Sequence, residues 1–365
     1  MRILIAGAGP AGLYLGYLLA RRRPDWRIRI VEQNARESTF GFGVVFSDRA
    51  LEFLRADDPE TYALITPQME TWTDLTVVHR GERVVIDGIG FAAIGRLRLL
   101  QLLNERLAGV SLAVDFERPL REKSEIEKHD LVVAADGANS FVRGTEDFGT
   151  TIEPLTNKFA WFGTTKAFPT LTQTFVATEH GHFNAHHYRH APDMSTFVVE
   201  CDAATWQRAG FAAMGEEASL AFCQEIFKDT LQGHALVSNR SIWRNFPNVR
   251  NERWSLANVV LIGDAQRTAH FSIGSGTRLA MEDAIVLSNC LFEFDISRAL
   301  IEFETRRKPI VEKLVAGADA SGAWYERFPE HMKLAPREFA WSYIQRSGRI
   351  DPARLRKTSP RFVDG

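Results

Sequence analysis

The chain has 365 residues, more than one average domain, which predicts a nucleotide-binding domain joined to a second lobe. Charged residues make up 25% and the formal net charge is −2, so composition offers no basic excess for nucleic acid or an anionic membrane. Three scattered cysteines (Cys201, Cys223, Cys290) suit neither a disulfide framework nor a zinc site, and no apolar run nears the roughly 18 residues of a membrane span. A cytoplasmic chain without a metal is expected.

Ile3 to Ala6 is an apolar run of strand type that breaks into Gly7-Ala8-Gly9-Pro10-Ala11-Gly12 and then into Leu13, Tyr17 and Leu18 at helical spacing. Strand, glycine turn and helix in that order are the context a Gly-x-Gly-x-x-Gly dinucleotide fingerprint requires. Gly7 permits the tight turn, Gly9 lets backbone N–H groups reach a pyrophosphate, and Gly12 lets the helix lie close on the strand, whose helix N-terminus attracts anions. Arg2 ahead of an apolar stretch superficially matches a secretory leader, but the glycines and Pro10 favour the fingerprint. Arg21, Arg22 and Arg23 close the helix before Pro24, where positive charge complements its C-terminus. The next strand, Ile28 to Val31, runs into Glu32 and Gln33. A carboxylate there accepts from the ribose hydroxyls of an adenosine half and repels a 2′-phosphate, which points to FAD or NAD.

Residues 33 to 46 set Gly41 and Gly43 among Phe40, Phe42 and Phe46, and read as a loop whose backbone approaches a flat ring. A helical pattern runs from Leu51 to Pro67, and a β-hairpin is expected over residues 75 to 91, turning at Arg80-Gly81-Glu82. Gly95-Arg96 leads into a helix with Leu99, Leu102, Leu103 and Leu107, and Arg96 reads equally as a solvated charge or a ligand contact. Leu131 to Ala135 is an unbroken apolar strand of buried parallel type, ending at Asp136-Gly137 before an expected helix start.

From 157 to 254 alternating, aromatic-rich segments at 159–164, 173–177, 182–188 and 195–200 predict a separate antiparallel sheet, with one helix near Glu216 to Leu231. His186 lies mid-strand there, either a partner for a substrate hydroxyl or amine or a partnered core histidine. Trp243-Arg244-Asn245 either faces substrate or braces the lobes. Parallel-sheet character returns at Val259 to Ile262 before Gly263-Asp264. Phe271 and the glycine loop Gly274-Ser275-Gly276 follow, opening a long helix, and helical sequence fills residues 297 to the end. Backbone N–H groups of that loop, at a helix N-terminus, suit a negatively charged group.

The fingerprint with Glu32, the central Asp136-Gly137 and the late Gly263-Asp264 with its glycine loop together resemble the single-component FAD aromatic hydroxylases of the para-hydroxybenzoate hydroxylase fold, over most of residues 1 to 320. More narrowly, Thr39 to Asp48, Trp243 to Phe246 and His270 to Gly274 are similar to a subgroup of these enzymes. It contains the salicylyl-CoA 5-hydroxylases, the monooxygenase half of 2-aminobenzoyl-CoA monooxygenase/reductase and the violacein-pathway tryptophan-derivative hydroxylase.

The resemblance implies an α/β fold in which a Rossmann-like FAD-binding domain carries an inserted antiparallel substrate sheet and C-terminal helices. The implied boundaries are 1–74, 92–156 and 255–320 for the FAD-binding domain, 75–91 and 157–254 for the substrate domain, and 321–365 for the C-terminal helices. It implies that Gly7, Gly9, Pro10, Ala11, Gly12, Glu32 and Gln33 hold the ADP half of FAD, with Arg96, Gly263, Gly274, Ser275 and Gly276 along the cofactor. Asp136 would serve both FAD and NAD(P)H and Asp264 the ribityl chain; apart from the resemblance, His186, Arg244 and Phe271 are the residues expected to meet substrate, His186 as its positioner from its place mid-strand in the aromatic segment.

The implied activity is NAD(P)H- and O2-consuming hydroxylation of an electron-rich ring through a C4a-hydroperoxyflavin. The substrate would be an aryl-CoA thioester such as salicylyl-CoA or 2-aminobenzoyl-CoA, or an indole- or tryptophan-derived metabolite. A same-fold reductase or halogenase, or a protein that sequesters a reactive intermediate without turnover, is the alternative, although the halogenase's tryptophan motif is missing. A small aromatic molecule is the expected partner, and the chain is expected to be a monomer or homodimer. Two departures stand out. Arg267, His270 and Phe271 occupy positions where the wider family has a His and prolines, and no second flavin domain is expected after Gly365.

Overall fold

The strands with unbroken apolar runs meet in one sheet. In the computed structural model, which describes residues 1–47 and 51–365, Arg2–Ala6 pairs in parallel with Arg27–Val31 on one side and Leu131–Ala134 on the other. The six strands run in the order Ser255–Leu256, Val259–Leu261, Leu131–Ala134, Arg2–Ala6, Arg27–Val31, Val114–Asp115, all parallel except the first, outermost pair. Both faces are covered, which is why the strand sequences do not alternate. Ile3 and Ile5 join a core with Leu13, Leu99 and Leu279, while Leu4 and Ala6 point the other way, to Ile126, Val142 and Phe148.

The aromatic-rich strands form a second, eight-stranded sheet in which Thr150–Thr164, Met194–Cys201, Gly181–Ala191 and Leu171–Thr178 are antiparallel neighbours. The hairpin Leu75–His79 and Glu82–Ile86 extends this sheet, through a parallel contact with Leu171–Thr178. Arg80 and Gly81 at its tip have φ of 52° and 77°, the mirror-image turn that matches strand twist.

Several expectations are corrected. The hairpin ends at Ile86, and Phe91–Gly95 belongs instead to a three-stranded sheet with Gly43–Ser47 and Glu70–Trp72. Part of the segment read as a loop is therefore a strand, as Val44, Val45 and Phe46 favour. No α-helix starts after Gly137. A carboxylate oxygen of Asp136 accepts from the Val142 N–H and the Arg143 guanidinium donates to the carbonyls of Ala138 and Ala265, so side chains satisfy a loop and only one 3₁₀ turn, Arg143–Thr145, forms. The helices expected at 51–67 and 216–231 are each broken into shorter pieces, Glu52–Asp57 with Pro59–Ile65 and Glu216–Ile226 with Lys228–Leu231. Asp48 lies outside the described residues.

The long helix Ile296–Glu326 passes through Pro309, and the short helices after it fold onto the hairpin, where Phe339, Leu355 and Phe362 share a core with Val77 and Ile86. No helix among the described residues is long and apolar enough to cross a membrane. The two faces of the large sheet have different company. Ala160, Phe162, Phe183, Ala185, Phe197 and Val199 bury against Phe211, Cys223 and Phe227, whereas their strand neighbours Phe159, Trp161, His186, Tyr188 and Val198 face a cavity.

Candidate active site

That cavity, of about 440 Å³, is closed on its other side by the glycine turns of the parallel sheet, with Gly9, Pro10, Ala11, Arg96, Gly137, Gly263, Asp264 and the 274–276 loop in its wall. The turn glycines do steric work here. Gly7 sits at φ 100°, where a Cβ would lie 2.3 Å from the Ala135 carbonyl oxygen, and a Cβ on Gly12 would lie 2.0 Å from the Gly7 oxygen. Gly9, Gly137 and Gly276 would meet nothing within 4 Å, so the backbone there is bare toward open space, as a ligand-cradling turn needs.

Polar groups on this wall, and Glu32 behind it, are under-used. Glu32 is tied down by N–H donors from Ala8 and Asn34 at 2.9 Å each and by the Asn34 side chain at 2.7 Å. Its Oε2 receives a single bond and keeps a lone pair for a hydroxyl. The Nε of Arg96 is buried with no partner among the described residues, and burial lowers its pKa against the pull of Asp264. The enclosing walls raise the Asp264 carboxyl, with Arg267 and Arg96 opposing the shift. The first N–H groups of the helices Pro10–Arg22 and Gly276–Glu293 have no intrahelical acceptors, and both helices begin at the cavity. A cationic fork, a carboxylate, free N–H groups and glycine-bared backbone fit the phosphates, polyol chain and ring edge of a flavin dinucleotide. Five expected contacts lie off the cavity wall: Gly7 and Gly12 are spent inside the turn, Glu32 sits behind it against Ala8 and Asn34, Gln33 is exposed, and Asp136 turns toward its own loop, leaving only its neighbours Ala135 and Gly137 on the wall.

On the facing wall His186 is 4% exposed, and neither ring nitrogen has a hydrogen-bond partner among the described residues. Burial, with help from the Arg346 charge, lowers its pKa to about 3, so the imidazole is neutral at working pH. A partnered core histidine is instead what the next residue provides: His187 faces the opposite way, its Nε2 2.9 Å from Thr174 Oγ1 and its ring on Phe197. Phe271 packs against Phe159 and His186 at ring separations of 5.1 and 6.5 Å. Arg244 and Phe246 also line the cavity, while Trp243 turns into the sheet's other core, its Nε1 donating to Ser219 at 2.7 Å.

Sequence reasoning missed two supporting networks. Asp283 lies under the Gly263-Asp264 turn, accepting from Arg267 Nη1 at 2.7 Å, Arg307 Nε at 2.9 Å and the Gly263 N–H at 3.2 Å. Behind His186, the cross-strand residue Gln173 accepts from the Tyr325 hydroxyl at 2.9 Å. Arg346 donates to the carbonyls of Ser272 and Tyr343 at 2.8 and 2.9 Å. Apart from the local Arg346–Tyr343 bond, the hydrogen-bonded pairs lie 16 to 152 residues apart with no local motif; only Arg267 standing where the family has a His gave a signal.

A dinucleotide cradle facing an aromatic-walled pocket across two sheets defines a flavin-dependent oxidoreductase. Residues 100–318 match the FAD binding domain family. The chain is 40% identical over 378 residues to salicyloyl-CoA 5-hydroxylase from a Streptomyces species, covering 100% of this chain and 73% of the relative. It is 36% identical over 365 residues to protodeoxyviolaceinate monooxygenase from Chromobacterium violaceum, covering 96% of both. Among solved structures, 2-methyl-3-hydroxypyridine-5-carboxylic acid oxygenase superposes with a TM-score of 0.71 at 17% identity, over 98% of this chain and 96% of that one, a likeness of fold. The chain belongs to the FAD-dependent aromatic monooxygenases, which work with FAD, NAD(P)H and O2.

Proposed function

We propose that the cavity holds the flavin ring along the Gly263–Gly276 wall and, against the large sheet, an electron-rich aromatic ring that is hydroxylated there. When bound, FAD supplies the activated oxygen at the expense of NAD(P)H and O2. The chain supplies position and dryness. Glu32, Arg96 and Asp264 hold the dinucleotide by its ribose, its anionic middle and its polyol chain. The N–H groups of Ser275 and Gly276, at the start of the long helix, would serve the ring edge where negative charge collects, while that of Gly274 is already donated to the Phe271 carbonyl. Phe159, Trp161, Tyr188 and Phe271 keep water from the reacting ring.

The observation that carries this reading is His186, a neutral, unpartnered imidazole in the pocket wall. It can accept a hydrogen bond from a ring hydroxyl or amine, the substituent that makes the ring electron-rich, and so fix which carbon meets the oxygen. Substrates of the class named by the relatives, a salicyloyl thioester or an indole-derived acid, suit such a partner. The three cysteines are buried free thiols, consistent with a reducing cytoplasm; the reading takes the chain as a monomer or homodimer.

The test is NAD(P)H oxidation by the FAD-loaded protein across aryl-CoA thioesters and indole and anthranilate derivatives. One class should stimulate oxidation and yield a hydroxylated product. Tight binding of aromatics with no stimulation would instead identify a sequestering protein.

A further inference from the structure

Two loops meet at the mouth of the cavity and are stapled together. The side-chain amide of Asn239 donates to the carbonyls of Thr39 and Gly41 at 3.0 and 2.9 Å, and Ser241 Oγ donates to the Trp161 carbonyl at 2.5 Å. The staple presents Phe40, 37% exposed, with the guanidinium carbons of Arg240 and Arg244 at 5.5 and 5.8 Å from its ring centre, and Ile242, 54% exposed, between the two arginines in sequence. Arg240 is held at φ 55°, a conformation a non-glycine residue adopts at a cost, so the loop fixes this side chain at the rim against its own preference.

Some exposed arginines have carboxylates beside them, as Arg2 has Asp130, Arg29 has Asp115 and Arg118 has Glu125, while others, such as Arg22 on Phe292 and Arg36 on Phe116, lie on aromatic rings away from the cavity. Among the described residues Arg240 and Arg244 have no carboxylate beside them; their recorded neighbour is the Phe40 ring. In a chain of net charge −2, this is a local concentration of unneutralised positive charge beside exposed apolar side chains, at the entrance to an aromatic pocket.

We propose that this rim is a subsite for the tail of a coenzyme A thioester whose aromatic acyl head occupies the cavity. The diphosphate lies between Arg240 and Arg244, whose planar donor forks match phosphate oxygens. The apolar arm of the pantetheine crosses Phe40 and Ile242. The inference rests on the cavity being the site of the aromatic ring and adds the chemistry of what trails out of it. A free aromatic acid would leave the rim unused. The other diphosphate that must visit this enzyme is that of NAD(P)H, and the test separates the two.

The FAD-loaded protein is titrated calorimetrically with benzoyl-CoA, with the N-acetylcysteamine thioester of benzoic acid, which keeps ring and thioester but has no phosphate, and with NADH and NADPH. In an Arg240→Ala/Arg244→Ala variant, benzoyl-CoA should bind about tenfold or more weakly, as for lost charge-assisted hydrogen bonds, with the phosphate-free thioester losing markedly less. An Arg240→Lys/Arg244→Lys variant should recover part of the loss, and flavin content and melting temperature report that both variants are folded. Equal loss for both thioesters, or loss for neither, overturns the proposal. Loss confined to NADH or NADPH gives the rim to the reductant and overturns it too. If neither thioester binds the wild-type protein the subsite falls, whereas oxidation stimulated by a thioester-free aromatic would leave the hydroxylase reading standing.

Discussion

At His186 the strand delivers a neutral imidazole to the pocket with nothing to hold it but aromatic packing and a substrate. His186→Ala should therefore leave FAD binding unchanged while the aromatic ring is held loosely, so that hydrogen peroxide replaces part of the hydroxylated product. Peroxide released per NAD(P)H consumed, measured beside the melting temperature, decides the matter: unchanged coupling, or a variant that mainly unfolds, would make His186 structural. Its titration also bears on stability. The native His186 and His270 are held near pKa 3 by burial against an ordinary 6.5, so the unfolded chain takes up protons first and stability is lost as pH falls from about 6.5 toward 3.

Glu200 runs the other way. Buried at 2% exposure and accepting from Asn157 at 2.8 Å, it is pushed up to about 8 by burial from an ordinary 4.5, despite that hydrogen bond. The native chain keeps a proton that the unfolded chain releases, so stability is lost as pH rises from about 4.5 through 8. Glu200→Gln should narrow the drop in melting temperature between pH 6 and pH 9. An undiminished drop would show that Glu200 does not carry it.

At the scale of elements, the strand–turn–helix units were legible and their supports were not. Gly7, Gly9, Gly12 and Glu32 declare themselves because their spacing is local and each does a steric or polar job that few residues can do. Glu32→Ala should weaken FAD retention without unfolding the protein. Asp264→Ala, removing a hydrogen bond to a charged group worth about 1.5–3 kcal/mol, should lower FAD affinity by roughly one to two decades in a flavin titration. Unaltered affinity would remove Asp264 from the site. The Arg267–Asp283–Arg307 triad beneath it could not be read from sequence, because 16 residues separate Arg267 from Asp283 and 24 separate Asp283 from Arg307. Asp283→Ala leaves the buried Arg267 without a carboxylate, while Arg307 keeps Glu282, and should cost about 3 kcal/mol, read by denaturant titration. Gly43–Ser47 was misread for a related reason: its pairing partner, Phe91–Gly95, is distant in the chain, and glycines at 41 and 43 imitate a loop.

For the whole molecule, the cavity is closed only when both sheets are in place. The Tyr188 hydroxyl donates to the Gly43 carbonyl at 2.8 Å and Thr196 accepts from the Gly43 N–H at 2.8 Å, tying the segment beside the flavin wall to the substrate sheet. A ligand spanning that junction stabilises the assembled state, by about 2.7 kcal/mol at a hundredfold excess over its dissociation constant. Stripping FAD should lower the melting temperature, and restoring it should raise the temperature in proportion to the logarithm of its concentration; a melting temperature indifferent to FAD would count against the cradle.

The alternation of the large sheet has a consequence for how such an enzyme changes over time. Residues facing the pocket and residues facing the packed core lie one step apart on the same strands, so a lineage can drift in what it accepts through Trp161 or Val198 while Phe162 and Phe197 stay fixed. Exchanges at Trp161 should redirect substrate choice with little change in melting temperature. Phe162→Ala or Phe197→Ala, one residue along, should cost about 3–5 kcal/mol whatever the substrate. New specificities on this scaffold should therefore accumulate in a two-residue rhythm along the strands, a pattern open to reading in any set of its descendants.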